Sequence, residues 1–475
     1  MMKKSIIIIG AGIIGASIAR ELTRYDVDVT VIEKENDVCE GTSCANSAIV
    51  HSGYDPVPET LMAKLNVEGN AMFDELKEQL GFAFRRNGSL TLANSEDEIT
   101  TLELLLKRAI ENGVEAKIIE QDELRKMEPN ITNKALKALY CPTAGIVDPF
   151  NFNISMMENA MLNGAKLYLE QTVLKITKEA LKYLVETDKA QFEADIVINA
   201  GGVCAGLIAR MAGIDKYDIK YRKGEYYLLD HFDNQFINHT LFNVPTNKGK
   251  GILVAPTTSY NYLVGPSSEF VEAIDDVSTD DETLKNIKEQ AKNLVDRIDY
   301  SKQITEFAGL RAVGAVHDFV ISEDLPGFIN LIGIQSPGLT AAPAIAKYVV
   351  QMLPPMALNN NFNPSLPKAI RLKDLDDEAR NALIKKNPSY GRIICRCEQI
   401  SEGEVIDAIK RPLGAKSIKG VKKRVRAGFG KCQGGFCEEI VLHLLAKELK
   451  ISPYEVVKGR KESYILDNFQ GEKNA

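Results

Sequence analysis

The stretch Ser5-Ile6-Ile7-Ile8-Ile9-Gly10-Ala11-Gly12-Ile13-Ile14-Gly15 decides the fold. Its unbroken isoleucine run reads as a strand buried on both faces, as in a parallel sheet. The glycines fit G-x-G-x-x-G. Gly10 allows a tight turn, Gly12 lets backbone approach a pyrophosphate, and Gly15 lets the following helix pack close to the strand. That helix starts at Ile13 and Ile14, with free N–H groups and the positive end of its dipole facing the phosphates. A second strand, Val27 to Ile32, ends at Glu33 and Lys34. A carboxylate there accepts both hydroxyls of an adenosine ribose and repels a 2′-phosphate. Strand, glycines, helix and acidic strand end together predict a dinucleotide-binding βαβ unit.

Composition bounds the rest. A chain of 475 residues has room for two to three domains. It is 45% hydrophobic and 26% charged, with a net charge of −7, so nothing global argues for nucleic acid. No apolar run reaches the roughly 18 residues of a membrane span. The N-terminus runs straight into the first strand, so the expectation is a cytoplasmic protein without a signal peptide. The eight cysteines do not suggest a disulfide scaffold. Cys39, Cys44, Cys141 and Cys204 are scattered and read as core or incidental thiols, whereas Cys395, Cys397, Cys432 and Cys437 cluster.

After Glu33 the segment Gly41 to Tyr54 is rich in small and hydroxyl residues and ends its apolar run at His51. Such a loop can bond a phosphate and lie against a flat ring. In order and content these pieces resemble the FAD-dependent oxidoreductases of the D-amino-acid oxidase type. Within that superfamily the loop is similar to that of glycerol-3-phosphate dehydrogenases and L-2-hydroxyglutarate oxidases, with Ala48 where their pattern has Gly. The resemblance implies FAD contacts at Thr42, Ser43, Asn46 and Ser47. It implies further contacts at Val173, at Ala200 and Gly201 after the strand Ala194 to Asn199, and at Gly333, Gly338, Leu339 and Thr340. The helix opening at Gly338 would aim its N-terminus at the flavin pyrimidine edge, where negative charge collects on reduction.

Periodicity fills in the remaining elements. Helices are expected over 59–80, 97–112, 149–164, 280–298 and 374–385. A strand pair turning at Asn87-Gly88 covers 84–93, a strand covers 166–173, and a β-rich region runs from 217 to about 268. The predicted fold class is α/β: a discontinuous Rossmann-type FAD domain, an interleaved, mainly antiparallel β-sheet substrate domain, and a small, α-rich iron–sulfur domain. The oxidoreductase part would span 1–353, with FAD-binding pieces at about 1–80, 145–215 and 305–353 and substrate pieces at about 81–144 and 216–304. A linker would cover 354–390 and the last domain 391–475.

The tail carries C-x-C, thirty-four residues, then C-x4-C, with a helix expected over 402–409. Four converging thiolates are metal ligands. Spacing alone leaves iron–sulfur and zinc open, although zinc ribbons favour C-x2-C knuckles. Glycines around Cys432 and Cys437 free backbone N–H groups to bond cluster sulfurs. The stretch also resembles the bacterioferritin-associated-ferredoxin type of 2Fe–2S domain, as fused behind the catalytic part of anaerobic glycerol-3-phosphate dehydrogenases, and this implies a 2Fe–2S cluster. Lys419, Lys422, Lys423, Arg424, Arg426 and Lys431 form a basic run, read either as a solvated face or as a docking patch for an acidic electron carrier.

A flavin beside a one-electron cluster suits a dehydrogenase passing electrons to a partner protein. The implied reaction is oxidation of sn-glycerol 3-phosphate to dihydroxyacetone phosphate. The alternatives are an L-2-hydroxy acid or amino-acid dehydrogenase of the same fold, and an electron-transfer subunit with a vestigial site. Oxidising an alcohol needs a base and a positive group that orients the substrate anion. His51 is the candidate base and Arg311 the candidate anchor, with Tyr54, Lys223 and Tyr226 at the rim. Without a membrane span of its own, the chain would reach a membrane only through partner subunits.

Overall fold

The computed structural model describes residues 3–232, 236–245 and 251–467. Parts of the β-rich region predicted over 217–268, at 233–235 and 246–250, lie outside the described residues.

The isoleucine run is the strand β1 (Lys4–Ile9), followed by helix α1 (Ile13–Leu22) and strand β2 (Val27–Ile32). β1 pairs in parallel with β2 on one side and with Ile196–Asn199 on the other. The six-stranded sheet continues to Lys166–Tyr168 beyond β2, and to Phe328–Ile332 and the antiparallel edge Val320–Leu325 on the far side. Ile6 to Ile9 are all buried because helices and a small three-stranded sheet cover the two faces. Gly10 makes the turn at φ +105°, and its N–H donates to Ile32 O at 2.8 Å. A Cβ on Gly15 would stand 1.9 Å from Gly10 O, so a larger residue would push α1 off the turn. α1 packs against the helices Pro149–Leu162 and Gly338–Met352.

A nine-stranded, mainly antiparallel sheet stands over the carboxyl ends of these strands. Its backbone is the long pair Lys220–Leu229 and Gln303–Val313, in register Arg222 opposite Arg311 and Tyr226 opposite Phe307. Arg311 therefore sits in the nine-stranded sheet, although the sequence groups the segment from 305 onward with the FAD-binding pieces.

Several expected elements are divided. The helix over 59–80 is Leu61–Ala71 and Phe73–Leu80, broken at Met72. The helix over 280–298 stops at Ala291. Phe84–Arg85 and Ser89–Ala93 do not pair with each other: the first pairs with Gly145–Val147, the second with Lys137–Cys141 and Thr240–Asn243. The strand over 166–173 ends at Tyr168, and Val173 begins a strand of the three-stranded sheet. For the strands, alternating apolar residues gave the right conformation, but partners far along the chain chose the pairing.

The segment after Met352 is held to the first domain. Arg20, 3% exposed, donates from Nε to Asn159 Oδ1 (3.0 Å) and from Nη2 to Gln79 Oε1 (2.7 Å) and Pro364 O (3.1 Å). Burial pulls its guanidinium down to about 10. The last domain packs the helices Glu402–Lys410, Ile418–Val425 and Glu438–Leu449 and the hairpin Ile393–Cys395/Ile400–Ser401 around its own core.

Candidate active site

The carboxyl ends of the parallel strands open into a cavity of about 1140 Å³. The predicted residues Gly10, Gly12, Ile13, Ile14, Glu33, Lys34, Thr42, Ser43, Asn46, Ser47, Val173, Ala200, Gly201, Gly338 and Leu339 all line it, and so do His51, Tyr226 and Arg311. It exceeds the ~300–1,000 Å³ of common small-ligand sites, leaving room for a dinucleotide and a substrate.

The glycine turn fits a pyrophosphate. Gly12 has extended backbone (φ −66°, ψ 178°), and a Cβ there would meet Ser43 Oγ at 3.1 Å, with no other described atom within 4 Å apart from its chain neighbours and its own helix. The protein itself thus leaves the space beside Gly12 open. Ile13 N–H donates to Ser43 Oγ at 2.9 Å, which brings a hydroxyl of the 41–47 loop to the N-terminus of α1. Glu33 Oε2 accepts from Ala11 N–H (2.8 Å) and Oε1 from Glu35 N–H (3.1 Å). Burial pushes the Glu33 carboxyl up against the pull of those two N–H groups. Asn46 braces the loop: its Nδ2 donates to Thr42 O and Ser43 O, and its Oδ1 accepts from Ala48 N–H. Ala48 adopts φ +57°, a left-handed conformation that explains why the related pattern has glycine there.

His51 is fixed through its backbone. Its N–H donates to Thr340 Oγ1 (2.9 Å), and its carbonyl accepts from Asn66 Nδ2 (2.9 Å) and Asn70 Nδ2 (3.0 Å). The ring lies over Phe242 at 6.0 Å, with Nε2 3.3 Å from Ser336 Oγ. Arg311 Nη2 donates to Ser267 O at 3.3 Å. Tyr226 stacks on Phe307 (4.8 Å, 8° between planes) and its hydroxyl lies 3.1 Å from Ser47 Oγ.

Five predicted contacts take other places. Thr340, fully buried, ties the His51 loop to the Gly338 helix, accepting from His51 N–H and donating to Ile49 O, and does not line the cavity. Gly333, at φ +68°, packs against Gly314 behind the wall. Gly15 serves helix packing, as above. Tyr54 is not at the rim: it is 2% exposed in a core with Ala93, Leu102 and Leu105, and its hydroxyl accepts from Thr91 Oγ1 at 3.0 Å. Lys223 is likewise no rim residue. Side chains alternate along Lys220–Leu229, so Tyr226 and Leu228 face the cavity while Lys223 turns away to Asp276 (3.3 Å) and Glu225 (3.6 Å).

Arg222, which sequence reasoning missed, stands opposite Arg311 behind the cavity wall and does not itself line it. It donates to Gln335 Oε1 at 2.6 Å, and burial followed by the Arg311 charge lowers its pKa. Ser336 and Phe242 were also missed: Ser336 opens the Gly338 segment but was not singled out, and Phe242 belongs to no motif.

The four cysteines form two pairs. Cys397 and Cys432 sulfurs are 3.6 Å apart at the surface, and the Cys395 and Cys437 thiols are buried hydrogen-bond partners. That bond, with N–H groups of Gly428 and Glu398, pulls Cys395 down to about 6, while Cys437 is pushed up because it keeps the shared proton. Burial raises Cys432, but the Gly434 N–H and the Cys397 thiol outweigh it and leave it lowered. One tetrahedral zinc would bring all four sulfurs to about 3.8 Å from one another. Among the described residues, the one group of three or more His, Cys, Asp or Glu ligand atoms within 4.8 Å of each other is Glu225, Glu269 and Asp280, so no three of the sulfurs come that close. Two separated thiol pairs fit a cluster of two irons. Cys437, with Phe429 and Gln433, also lines the large cavity.

Most of the basic run is neither a solvated face nor a free patch, although Lys431 is exposed. Lys423 and Arg424 are 2% and 3% exposed and pair with Asp37, and Lys419 and Lys423 pair with Glu40. Arg426 pairs with Glu398. Asp37 and Glu40 lie in the first domain, so most of this charge serves the contact between domains.

This is the architecture of a redox flavoprotein. Residues 5–352 match the FAD dependent oxidoreductase family and residues 393–447 the BFD-like 2Fe–2S binding domain. The chain belongs to the FAD dependent oxidoreductase family, with FAD and a 2Fe–2S cluster as its cofactors. It is similar to a glycerol 3-phosphate dehydrogenase of Caloramator mitchellensis, with 45% identity over 97% of each chain. It is also similar to the anaerobic glycerol-3-phosphate dehydrogenase subunit A1 of Haloferax volcanii, with 25% identity over 100% of this chain and 88% of that one. Among solved structures, an FAD-bound, dithionite-reduced L-alpha-glycerophosphate oxidase of Mycoplasma pneumoniae superposes with a TM-score of 0.73 and 30% identity, covering 77% of this chain and 100% of that one. No helix among the described residues is long and apolar enough to cross a membrane.

Proposed function

We propose that the protein oxidises sn-glycerol 3-phosphate to dihydroxyacetone phosphate and passes the electrons through its 2Fe–2S cluster to a separate acceptor protein. The observation that carries this reading is that one cavity is lined by His51, Arg311 and the cluster ligand Cys437 together. The similarity to glycerol 3-phosphate dehydrogenases along almost the whole chain supports it.

The Gly10–Gly15 turn, Glu33 and the 42–47 loop would hold FAD, which when bound would supply a two-electron hydride acceptor beside a one-electron cluster. Arg311 binds the substrate phosphate, since a guanidinium offers two parallel donors to it. Arg222, one strand away in register, adds positive charge behind it and favours a dianion over a monocarboxylate. His51 takes the hydroxyl proton on an imidazole nitrogen as the carbon–hydrogen bond breaks and the carbonyl forms. Phe242 and the Ser336 hydroxyl hold the ring, and the Thr340, Asn66 and Asn70 bonds fix the backbone beneath it, so little reorganisation is left for the reaction. The Cys397–Cys432 side, where Phe436 is 83% exposed and Lys431 is exposed, would be the face offered to an acidic partner.

Anaerobic mixing of the purified protein with sn-glycerol 3-phosphate, L-2-hydroxyglutarate and L-amino acids tests this. The flavin absorbance should bleach with glycerol phosphate at a kcat/KM far above that of the others. Faster bleaching by 2-hydroxyglutarate or by an amino acid would replace the substrate in this reading.

A further inference from the structure

The loop between β2 and the 41–47 segment begins just past Glu33 and ends at Ser43, whose hydroxyl faces the N-terminus of α1. Both its ends thus border the dinucleotide part of the cavity. Two of the charged residues between them, Asp37 and Glu40, are gripped by the C-terminal domain. Arg424 donates to Asp37 through Nη1 (2.8 Å) and Nη2 (3.0 Å), and Lys423 lies 3.0 Å from Asp37 and 2.6 Å from Glu40. Lys419 reaches Glu40 at 2.5 Å, and Asn36 Nδ2 donates to Gly459 O at 2.5 Å. The side chains of Asp37, Lys423 and Arg424 are 5%, 2% and 0% exposed, so these are not screened surface pairs.

The domain also forms part of the cavity wall, through Lys419, Lys422, Gly459 and Arg460 among others. Lys419 is matched by Glu40, but Arg460 has no carboxylate partner among the described residues. It is exposed and lines the same cavity as Cys44, the residue after Ser43. A cation on the wall beside the phosphate loop, with no anion of the protein's own, suits an anionic ligand.

We infer that the C-terminal domain is a structural part of the FAD site: Lys419, Lys423 and Arg424 hold the 36–44 loop in its binding form, and Arg460 faces the cofactor's diphosphate. Docking of that domain and binding of FAD then favour each other by the same factor.

The test uses the full chain with FAD removed and the cluster intact. FAD rebinding is followed by quenching of flavin fluorescence, and the cluster by its visible absorption. Arg460→Gln should weaken FAD about tenfold, the scale of one charge-assisted contact, and leave the cluster spectrum unchanged. An unchanged affinity would remove Arg460 from the site. Asp37→Asn leaves two buried cations short of a partner and risks misfolding, so the clamp is read on the unmutated chain by limited proteolysis. Added FAD should slow cleavage between the domains and within residues 391–467. Equal cleavage rates with and without FAD would overturn the coupling.

Discussion

At the scale of single residues, the proposed function depends on where His51, Arg311 and Glu33 stand. Replacing His51 with Ala should slow flavin reduction at saturating substrate by about 10²–10⁴, the usual worth of a positioned base, and flatten its pH profile in rapid-mixing experiments. Arg311→Lys should instead raise KM with a smaller effect on the reduction rate, because the paired donors are lost and the base is not. Glu33 carries a pH prediction. Burial raises its carboxyl in the ligand-free fold, so that fold gains stability from this group as pH falls below the raised pKa and loses it as pH rises through it. Ribose hydroxyls would donate to the ionised form, so FAD binding pulls the pKa back down and takes up no proton at neutral pH. FAD affinity should therefore drop as pH falls toward the ordinary glutamate value of about 4.3. In Glu33→Gln, titration with FAD should show a weaker and pH-flat affinity over the same range. The glycine turn and the acidic strand end were legible from local sequence because a pyrophosphate makes local demands on the backbone. Tyr54 and Lys223 were misplaced because nothing local says which face of a loop or strand meets the cavity.

At the scale of elements, the pair Lys220–Leu229 and Gln303–Val313 sets the site. Its register puts Arg222 beside Arg311, and its alternation sends Lys223 and Glu225 to the other face. Gly224 is the position this geometry leaves no room to change: a Cβ there would stand 2.5 Å from Arg311 Nη2 and 2.9 Å from Pro266 Cβ. Gly224→Ala should displace the guanidinium and raise KM by about tenfold to a hundredfold, while FAD content stays normal. Sequence pattern found most helices within a few residues, since one face of each is apolar over several turns. It failed at Ser89–Ala93, whose neighbours are Lys137–Cys141 and Thr240–Asn243 rather than the adjacent Phe84–Arg85. Which strands meet is decided by long-range packing that a short apolar run does not encode.

For the whole molecule, the two modules share one wall. Asp37 is held well below the usual carboxylate range: its burial cost is outweighed by Arg424 and Lys423. A lowered carboxylate stabilises above its unfolded pKa of about 3.9 and loses that contribution only in stronger acid. The domain contact should therefore be unchanged between pH 7 and 5, as small-angle scattering can check. A second tie is Arg411 to Glu158, which is 4% exposed. Glu158→Gln should destabilise the docked C-terminal domain by about 3 kcal/mol in denaturant unfolding, since it strands a largely buried guanidinium. The basic run misled sequence reasoning because its partners, Asp37 and Glu40, lie almost the whole chain away and carry no motif. The cysteine spacing, by contrast, marked out directly the four thiols that the fold brings together as two pairs.

In the proposed reaction, substrate electrons cross from the flavin site to the cluster inside this one chain. Freeze-quench electron paramagnetic resonance after anaerobic mixing with sn-glycerol 3-phosphate measures that transfer most directly. The account predicts that the signal of a reduced 2Fe–2S cluster grows in as the flavin absorbance bleaches, and that Cys397→Ser bleaches without it. A flavin fully reduced by substrate beside a cluster that stays oxidised, yet is readily reduced by dithionite, would contradict it.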